Sequence, residues 1–153
     1  MVELTKLDAT IKLDIRYASR NNFLGKAVYK QRRAFLQRPA AKVCWDVTPP
    51  DKKIFVADPG KGSRHNRGCA VDLSLFDLNT GTQVKMPSEY DEMTEPAHIN
   101  YECATPDAKR LRELLRAAMA AEGFGVYEPE WWHYDYKDWK EYPIMNSKFS
   151  AVK

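Results

Sequence analysis

Apolar and polar residues alternate around Ile11, Leu13 and Ile15, which predicts a short half-buried strand within Leu4 to Tyr17 before a polar loop from Ala18 to Lys26. Tyr29 to Gln37 carries a helical pattern that stops at Arg38-Pro39. Trp45 to Asp51 is turn material, because Pro49 and Pro50 remove backbone donors and fix φ. Residues 57–68, with Pro59, Gly60, Gly62 and Gly68, read as a loop. From Cys69 to Phe76 the period becomes two: Val71, Leu73 and Leu75 share one face and Ala70, Asp72 and Ser74 the other. A strand that buries the first face presents Asp72 on the second. Leu78 to Thr82 predicts a turn with Gly81 at a position suited to positive φ. Residues 106–122 carry Leu111, Leu114, Leu115, Ala118 and Met119 at helical spacing, with Thr105 as cap, Pro106 in the first turn and Gly123 as the stop. Phe124 to Tyr127 and Trp131 to Tyr136 predict two more strands, interrupted by Glu128-Pro129-Glu130.

Composition narrows this to one domain over residues 1–153, since a chain of this length with 44% apolar and 12% aromatic residues can bury one substantial core. No repeat, low-complexity tract or linker divides it. The net charge of +3 arises from 24 basic and 21 acidic residues spread along the chain, so nucleic acid is not an expected partner. Cys44, Cys69 and Cys103 lie far apart and form no C-x-x-C pair, which predicts free thiols in a reducing compartment. MVELTKLDATIKLDIRY lacks the pattern of a secretory signal and no apolar run is long enough to span a bilayer, so the expectation is a cytoplasmic protein with no membrane partner.

Three histidines, His65, His98 and His133, can be weighed singly. His65 lies in a glycine-bearing basic loop seven residues before Asp72, and His133 follows Glu130 by three. A catalytic zinc ion takes three protein ligands of the imidazole or carboxylate type and leaves the fourth position open. His65, Asp72 and His133 meet that requirement. Glu130 is then the candidate general base, with Pro129, Trp131 and Trp132 raising its pKa towards neutrality by desolvation. Simpler readings remain open at this point: His65 as a surface residue, Asp72 as a buried acid paired with Arg64 or Arg67, and Trp131 and Trp132 as core. His98 is read as a surface residue.

Ser63-Arg64-His65-Asn66-Arg67-Gly68-Cys69-Ala70-Val71-Asp72 resembles the S-x-H-x-x-G-x-A-x-D pattern of the VanX-like zinc D-alanyl-D-alanine dipeptidases, and Glu130-Trp131-Trp132-His133 is similar to their E-x-W-H signature. The likeness extends from Tyr17-Ala18-Ser19-Arg20-Asn21-Asn22-Phe23-Leu24-Gly25 through Asp77-Leu78-Asn79-Thr80-Gly81 to the C-terminal Trp-Trp-His-Tyr stretch. It implies an α+β fold, a small antiparallel sheet flanked by helices with the zinc site in a cleft on the sheet. It also implies one zinc ion per chain on His65, Asp72 and His133, with Glu130 as general base to zinc-bound water. Tyr17, Ser63 and Asp91 fall where the family lines its substrate pocket, with Asp91 placed to hold the ammonium of a small dipeptide.

The same resemblance marks a departure. Between a helix ending in Q-R-P-A-A and the W-D segment, the family carries a further helix, a strand and a Tyr-Arg-Pro element whose arginine polarises the scissile carbonyl. Here Arg38-Pro39-Ala40-Ala41 runs almost directly into Lys42-Val43-Cys44-Trp45-Asp46, so the domain is shortened around residues 41–43. Loss of one such group costs on the order of a hundred- to thousandfold in rate, and Arg16, Arg64 or Arg67 are the candidates to replace it. Loss of a strand leaves a sheet edge, which predicts a homodimer or poor stability. The expected function is hydrolysis of D-alanyl-D-alanine, impaired by the missing arginine. The alternatives are a non-catalytic zinc-binding remnant and a D,D-carboxypeptidase acting on peptidoglycan stem peptides.

Overall fold

The computed structural model describes residues 12–22, 25–27, 58 and 61–145. The helix expected at Tyr29 to Gln37, the turn at Trp45 to Asp51, the shortening at residues 41–43 and most of the strand expected within Leu4 to Tyr17 lie outside them. The part of that strand that is described is not extended: Arg16–Ala18 forms a turn of 3-10 helix, so Tyr17 sits on a turn.

The fold is α+β. Strand β1 (Ala70–Asp72) is an edge of a three-stranded antiparallel sheet whose order is β1-β5-β4, with β4 spanning Phe124–Tyr127 and β5 Glu130–Tyr136. A separate hairpin pairs β2 (Phe76–Asp77) with β3 (Thr82–Gln83). The single strand expected over residues 69–76 is therefore two, because its partner ends. Leu73 still donates its N–H to the Trp132 carbonyl at 3.0 Å. Beyond that the chain leaves the sheet, and Phe76 finds its partner in Gln83. Gly81 has φ +70° in the connecting turn, as expected there.

Helix α1 (Pro106–Ala121) starts where the Thr105 hydroxyl accepts a hydrogen bond from the Ala108 N–H at 3.3 Å. Gly123, at φ +81°, then turns the chain into β4 through a conformation that costs a side-chain-bearing residue about 1–2 kcal/mol. The buried face is Ala108, Arg112 and Leu115. Leu114, expected on that face, is instead 54% exposed, since one residue along a helix is a rotation of about 100°. Arg112 takes the inner position because its guanidinium donates to the Tyr101 carbonyl at 2.9 Å while its apolar stem packs.

The core lies between α1 and one face of the sheet. Trp131, Trp132 and Tyr134 are fully buried there with Met86, Ala97, Ile99 and Leu115, and Val71, Leu73 and Leu75 pack against them. Both tryptophans are thus core, and the Trp131 indole N–H is satisfied by the Ser88 hydroxyl at 2.9 Å. His98 is half-buried, at the end of a 3-10 turn over Glu95–Ala97. Among the described residues, no helix is long and apolar enough to cross a membrane.

Candidate metal centre

The sheet register decides which polar residues meet. Asp72 of β1 lies opposite His133 of β5, and directly opposed residues project from the same face. Val71 lies opposite Tyr134 and faces the core, so Asp72 and His133 are on the other side, as period-two alternation from Val71, Leu73 and Leu75 requires. Simple alternation along β5 would put Glu130 with Trp132 and Tyr134, away from His133. The pairing of β4 with β5 shifts between Val126 and Tyr127, where Val126 opposes Tyr134 but Tyr127 opposes Glu130. That irregularity brings Glu130 onto the His133 face and lets two adjacent tryptophans both enter the core. Glu130 is accordingly a strand residue, not part of the turn expected at 128–130, and its Oε2 lies 3.6 Å from His133 Nδ1.

His65 arrives from outside the sheet, on a 3-10 turn over His65–Arg67. The Ser63 hydroxyl accepts the His65 backbone N–H at 3.1 Å, a local turn that sets the entry of the loop. The chain beyond the sheet clamps the same loop: Arg67 donates to the Tyr142 carbonyl, and the Met145 N–H donates to the Asn66 carbonyl at 2.8 Å. Ile144 lies over Gly62, so close that a β-carbon built there would sit 2.5 Å from its Cδ1. Gly62 also has φ +74°, a left-handed conformation natural to glycine.

Three electron-pair donors converge. Asp72 Oδ1 is 3.0 Å from His133 Nδ1 and 3.3 Å from His65 Nε2, and the two ring nitrogens are 3.2 Å apart. Each donor is oriented from behind. His65 Nδ1 lies 3.1 Å from the Ala70 carbonyl, His133 Nε2 lies 3.0 Å from Asp135 Oδ1, and the Tyr90 hydroxyl donates to Asp72 Oδ2 at 3.1 Å. Asp135 is bound in turn by Arg64, and the Tyr127 ring stands against His133 with centroids 5.4 Å apart. Arg64 pairs with Asp135 rather than with Asp72.

Burial and the crowding of four carboxylates, Asp72, Asp91, Glu130 and Asp135, set the electrostatics of the site. Burial pushes Glu130 up to about 8, and repulsion from Asp72, Asp91 and Asp135 adds to it. Burial likewise raises Asp91 to about 6, with the Asp72 charge adding and a hydrogen bond from Tyr17 opposing. Burial alone would raise Asp72 too, but the two imidazoles beside it hold it well below the usual carboxylate range. Burial would lower His133, yet the hydrogen bond to Asp135 and the Asp72 and Glu130 carboxylates beside it drive it up to about 10. A proton on His133 therefore supplies the positive charge that the carboxylates demand.

These features fit a metal ion. His65, Asp72 and His133 are the group of imidazole and carboxylate donors that could hold one among the described residues. Asp72 Oδ1, though buried between both rings, makes no hydrogen bond, so an acceptor is left for a cation. Imidazole and carboxylate suit zinc and its neighbours among the divalent metals.

Of the other expected site residues, Tyr17 and Asp91 meet each other, and Asp91 takes a positive φ of 63° with its Oδ2 buried and unbonded. Ser63 supports the His65 loop from its start. The arginines suggested as replacements for the missing one are engaged elsewhere. Arg16 donates to the Tyr90 carbonyl at 2.7 Å and pairs with Asp14, Arg64 holds Asp135, and Arg67 holds Tyr142. Sequence reasoning missed Asp135, Tyr90 and Tyr127. Asp135 was within its reach, since it stands two positions after His133 and hence on the same strand face. Tyr90 carries no such periodic signal.

The peptidase M15 family model, described as D-ala-D-ala dipeptidase, matches residues 39–153. The D-alanyl-D-alanine dipeptidase of Escherichia coli K12 is 30% identical over 180 aligned positions, covering 99% of this chain and 92% of the relative. That alignment is longer than the 153 residues of the chain, so the relative carries segments with no counterpart here. The D-alanyl-D-alanine dipeptidase of Enterococcus faecium is 41% identical over 104 residues, or 68% of this chain and 48% of the relative. That of Enterococcus faecalis V583 is 40% identical over 89 residues, or 58% and 44%. With a family match over most of its length and three carboxylate and imidazole donors converging on one point, the chain belongs to the peptidase M15 family of metallopeptidases.

Proposed function

We propose that the protein is a zinc-dependent D-alanyl-D-alanine dipeptidase in which His65, Asp72 and His133 hold one zinc ion and Glu130 is the general base. The observation that carries this reading is the position of Glu130. A base needs an ionisable group beside the reacting water, and Glu130 Oε2 stands 3.6 Å from a metal-facing ring nitrogen in a buried setting that lifts its pKa into the working range. Bound among the three donors, zinc supplies Lewis acidity towards the scissile carbonyl.

The chain's own residues do the rest. Glu130 takes a proton from the attacking water at its carboxylate and returns it to the leaving amine, so the base is regenerated in each turnover. A divalent cation beside it favours the carboxylate form and lowers its pKa from the metal-free value. Asp91, half-buried, with its Oδ2 buried and unbonded and Tyr17 as its neighbour, receives the free ammonium of the dipeptide. Ser63, whose hydroxyl holds the start of the His65 loop, is assigned to the substrate side of the site with it. Requiring an ammonium at Asp91 favours the free dipeptide over a longer peptidoglycan stem, whose corresponding nitrogen is an uncharged amide.

A second reading, a zinc-binding remnant without turnover, is favoured by the engagement of Arg16, Arg64 and Arg67 with other partners, which leaves none of these three for the scissile carbonyl. One experiment separates the readings: zinc content measured together with alanine release from D-alanyl-D-alanine and from a stem pentapeptide ending in the same pair. The dipeptidase predicts one zinc per chain and release from the dipeptide in preference to the stem. One zinc with no release from either establishes the remnant, and release from the stem alone establishes the carboxypeptidase.

A further inference from the structure

We propose that Arg64 and Asp135 act as a coupled pair of positioning residues that ties the two histidine ligands together, an inference that rests on the metal reading above. Asp135 Oδ1 lies 3.0 Å from His133 Nε2, and its Oδ2 is paired with the Arg64 guanidinium. An imidazole that gives its Nε2 proton to a carboxylate keeps Nδ1 as the coordinating atom and fixes the ring plane. Here Nδ1 is the atom that faces Asp72 and His65. Asp135 is 12% exposed, so its charge needs the partner that Arg64 provides.

Arg64 is itself held in place. Its guanidinium carbon stands 4.7 Å from the Trp139 ring centroid and 5.5 Å from that of Tyr127, while its carbonyl accepts the N–H groups of Arg67 and Cys69 at 3.0 and 3.2 Å. The Tyr127 ring in turn packs on His133. Arg64 is also the residue immediately before His65. One side chain thus joins the loop that carries the first ligand to the strand that carries the second, by way of the carboxylate that orients the second. This assignment explains why Arg64 does not stand in for a carbonyl-polarising arginine: its charge is spent on Asp135.

The test is a double-mutant cycle read by zinc affinity, measured in competition with a chromophoric chelator, using Asp135→Asn, Arg64→Met and the double variant. Asp135→Asn is expected to weaken zinc binding by about 10- to 100-fold. Arg64→Met should weaken it by about threefold or more alone and add nothing once Asp135 is Asn, because Arg64 acts through that carboxylate. Arg64 is about one-third exposed, so its variant folds even where Asp135→Asn proves unstable, and its loss of affinity is then read directly. Wild-type affinity in Arg64→Met, or the same fractional loss in both backgrounds, overturns the proposal, since a purely structural role predicts additive effects. A wild-type protein that binds no zinc overturns the metal reading itself, a result distinguishable from tight zinc binding that ignores these substitutions.

Discussion

His133 and His65 reach the same point by different means. His133 belongs to the central strand of the sheet, with Asp72 fixed opposite it by backbone pairing, Tyr127 against its ring and only 11% of its side chain exposed. His65 belongs to a 3-10 turn outside the sheet, with 25% of its side chain exposed, held by the Ser63 hydroxyl, the Ala70 carbonyl and the segment from Tyr142 to Met145. One half of the site is therefore a consequence of the fold's main hydrogen-bonding pattern. The other is a loop that must be braced, which makes it the half where metal affinity can change without loss of the fold.

The sharpest way to break this comparison is to remove each histidine in turn from the metal-free protein. His133→Ala leaves Asp72, Asp135 and Glu130 buried without their imidazolium and should cost about 3–5 kcal/mol of stability. His65→Ala should cost about 1 kcal/mol, the scale of one partly exposed hydrogen bond. Both should abolish tight metal binding. Urea unfolding of the two variants checks the difference, and equal losses would mean that the sheet half is no more integral than the loop half.

A second prediction concerns the proton that occupies the strand half. His133 is raised from its ordinary 6.5 to about 10 in the metal-free chain, so it is protonated through the neutral range and must lose that proton to coordinate. Glu130, raised to about 8, is protonated below that pH and ionises beside a cation. Metal binding should therefore release at least one proton, and affinity should rise by about tenfold per pH unit for each proton released, the steepest dependence lying below pH 8. Calorimetry in buffers of differing ionisation enthalpy counts the protons, and a count of zero would refute the electrostatic picture.

The smallest effect is expected in the brace. Gly62→Ala places a side chain at φ +74° beneath Ile144 and should cost about 1–2 kcal/mol, mostly by displacing the loop, because the flexible end of Ile144 can move aside. Hydrogen exchange at residues 63–68 should accelerate while exchange in β5 stays unchanged. Acceleration in both would show that loop and sheet open together.

Much of this arrangement was legible in the sequence, and the two halves differ in why. Asp72 was placed on the polar face of a strand by the alternation of Val71, Leu73 and Leu75, and helix α1 was placed by its leucine spacing, Thr105 and Gly123. Local patterns with a fixed period carry that information. Asp135 was legible by the same rule, two residues from His133, but its role appears only when Arg64 and the ring nitrogen are seen together. Alternation misplaces Glu130, because the register shift at Tyr127 is a property of two strands and neither strand's pattern contains it. Arg112 is buried on the inner face of the helix, which its leucine spacing does not announce, because a carbonyl at Tyr101, outside the helix, satisfies the guanidinium. The contacts from Tyr142 to Met145 onto the His65 loop join segments some seventy-five residues apart and leave no periodic trace in either.

The central claim is that three residues bind the metal while Glu130 serves the chemistry, and Glu130→Gln tests it most directly when zinc content and D-alanyl-D-alanine hydrolysis are measured on the same sample. The prediction is one zinc per chain in both wild type and variant, with turnover reduced by about 10²- to 10⁴-fold in the variant. Unchanged turnover with zinc retained would contradict the base role, and loss of zinc from Glu130→Gln would make that carboxylate part of the metal's own support.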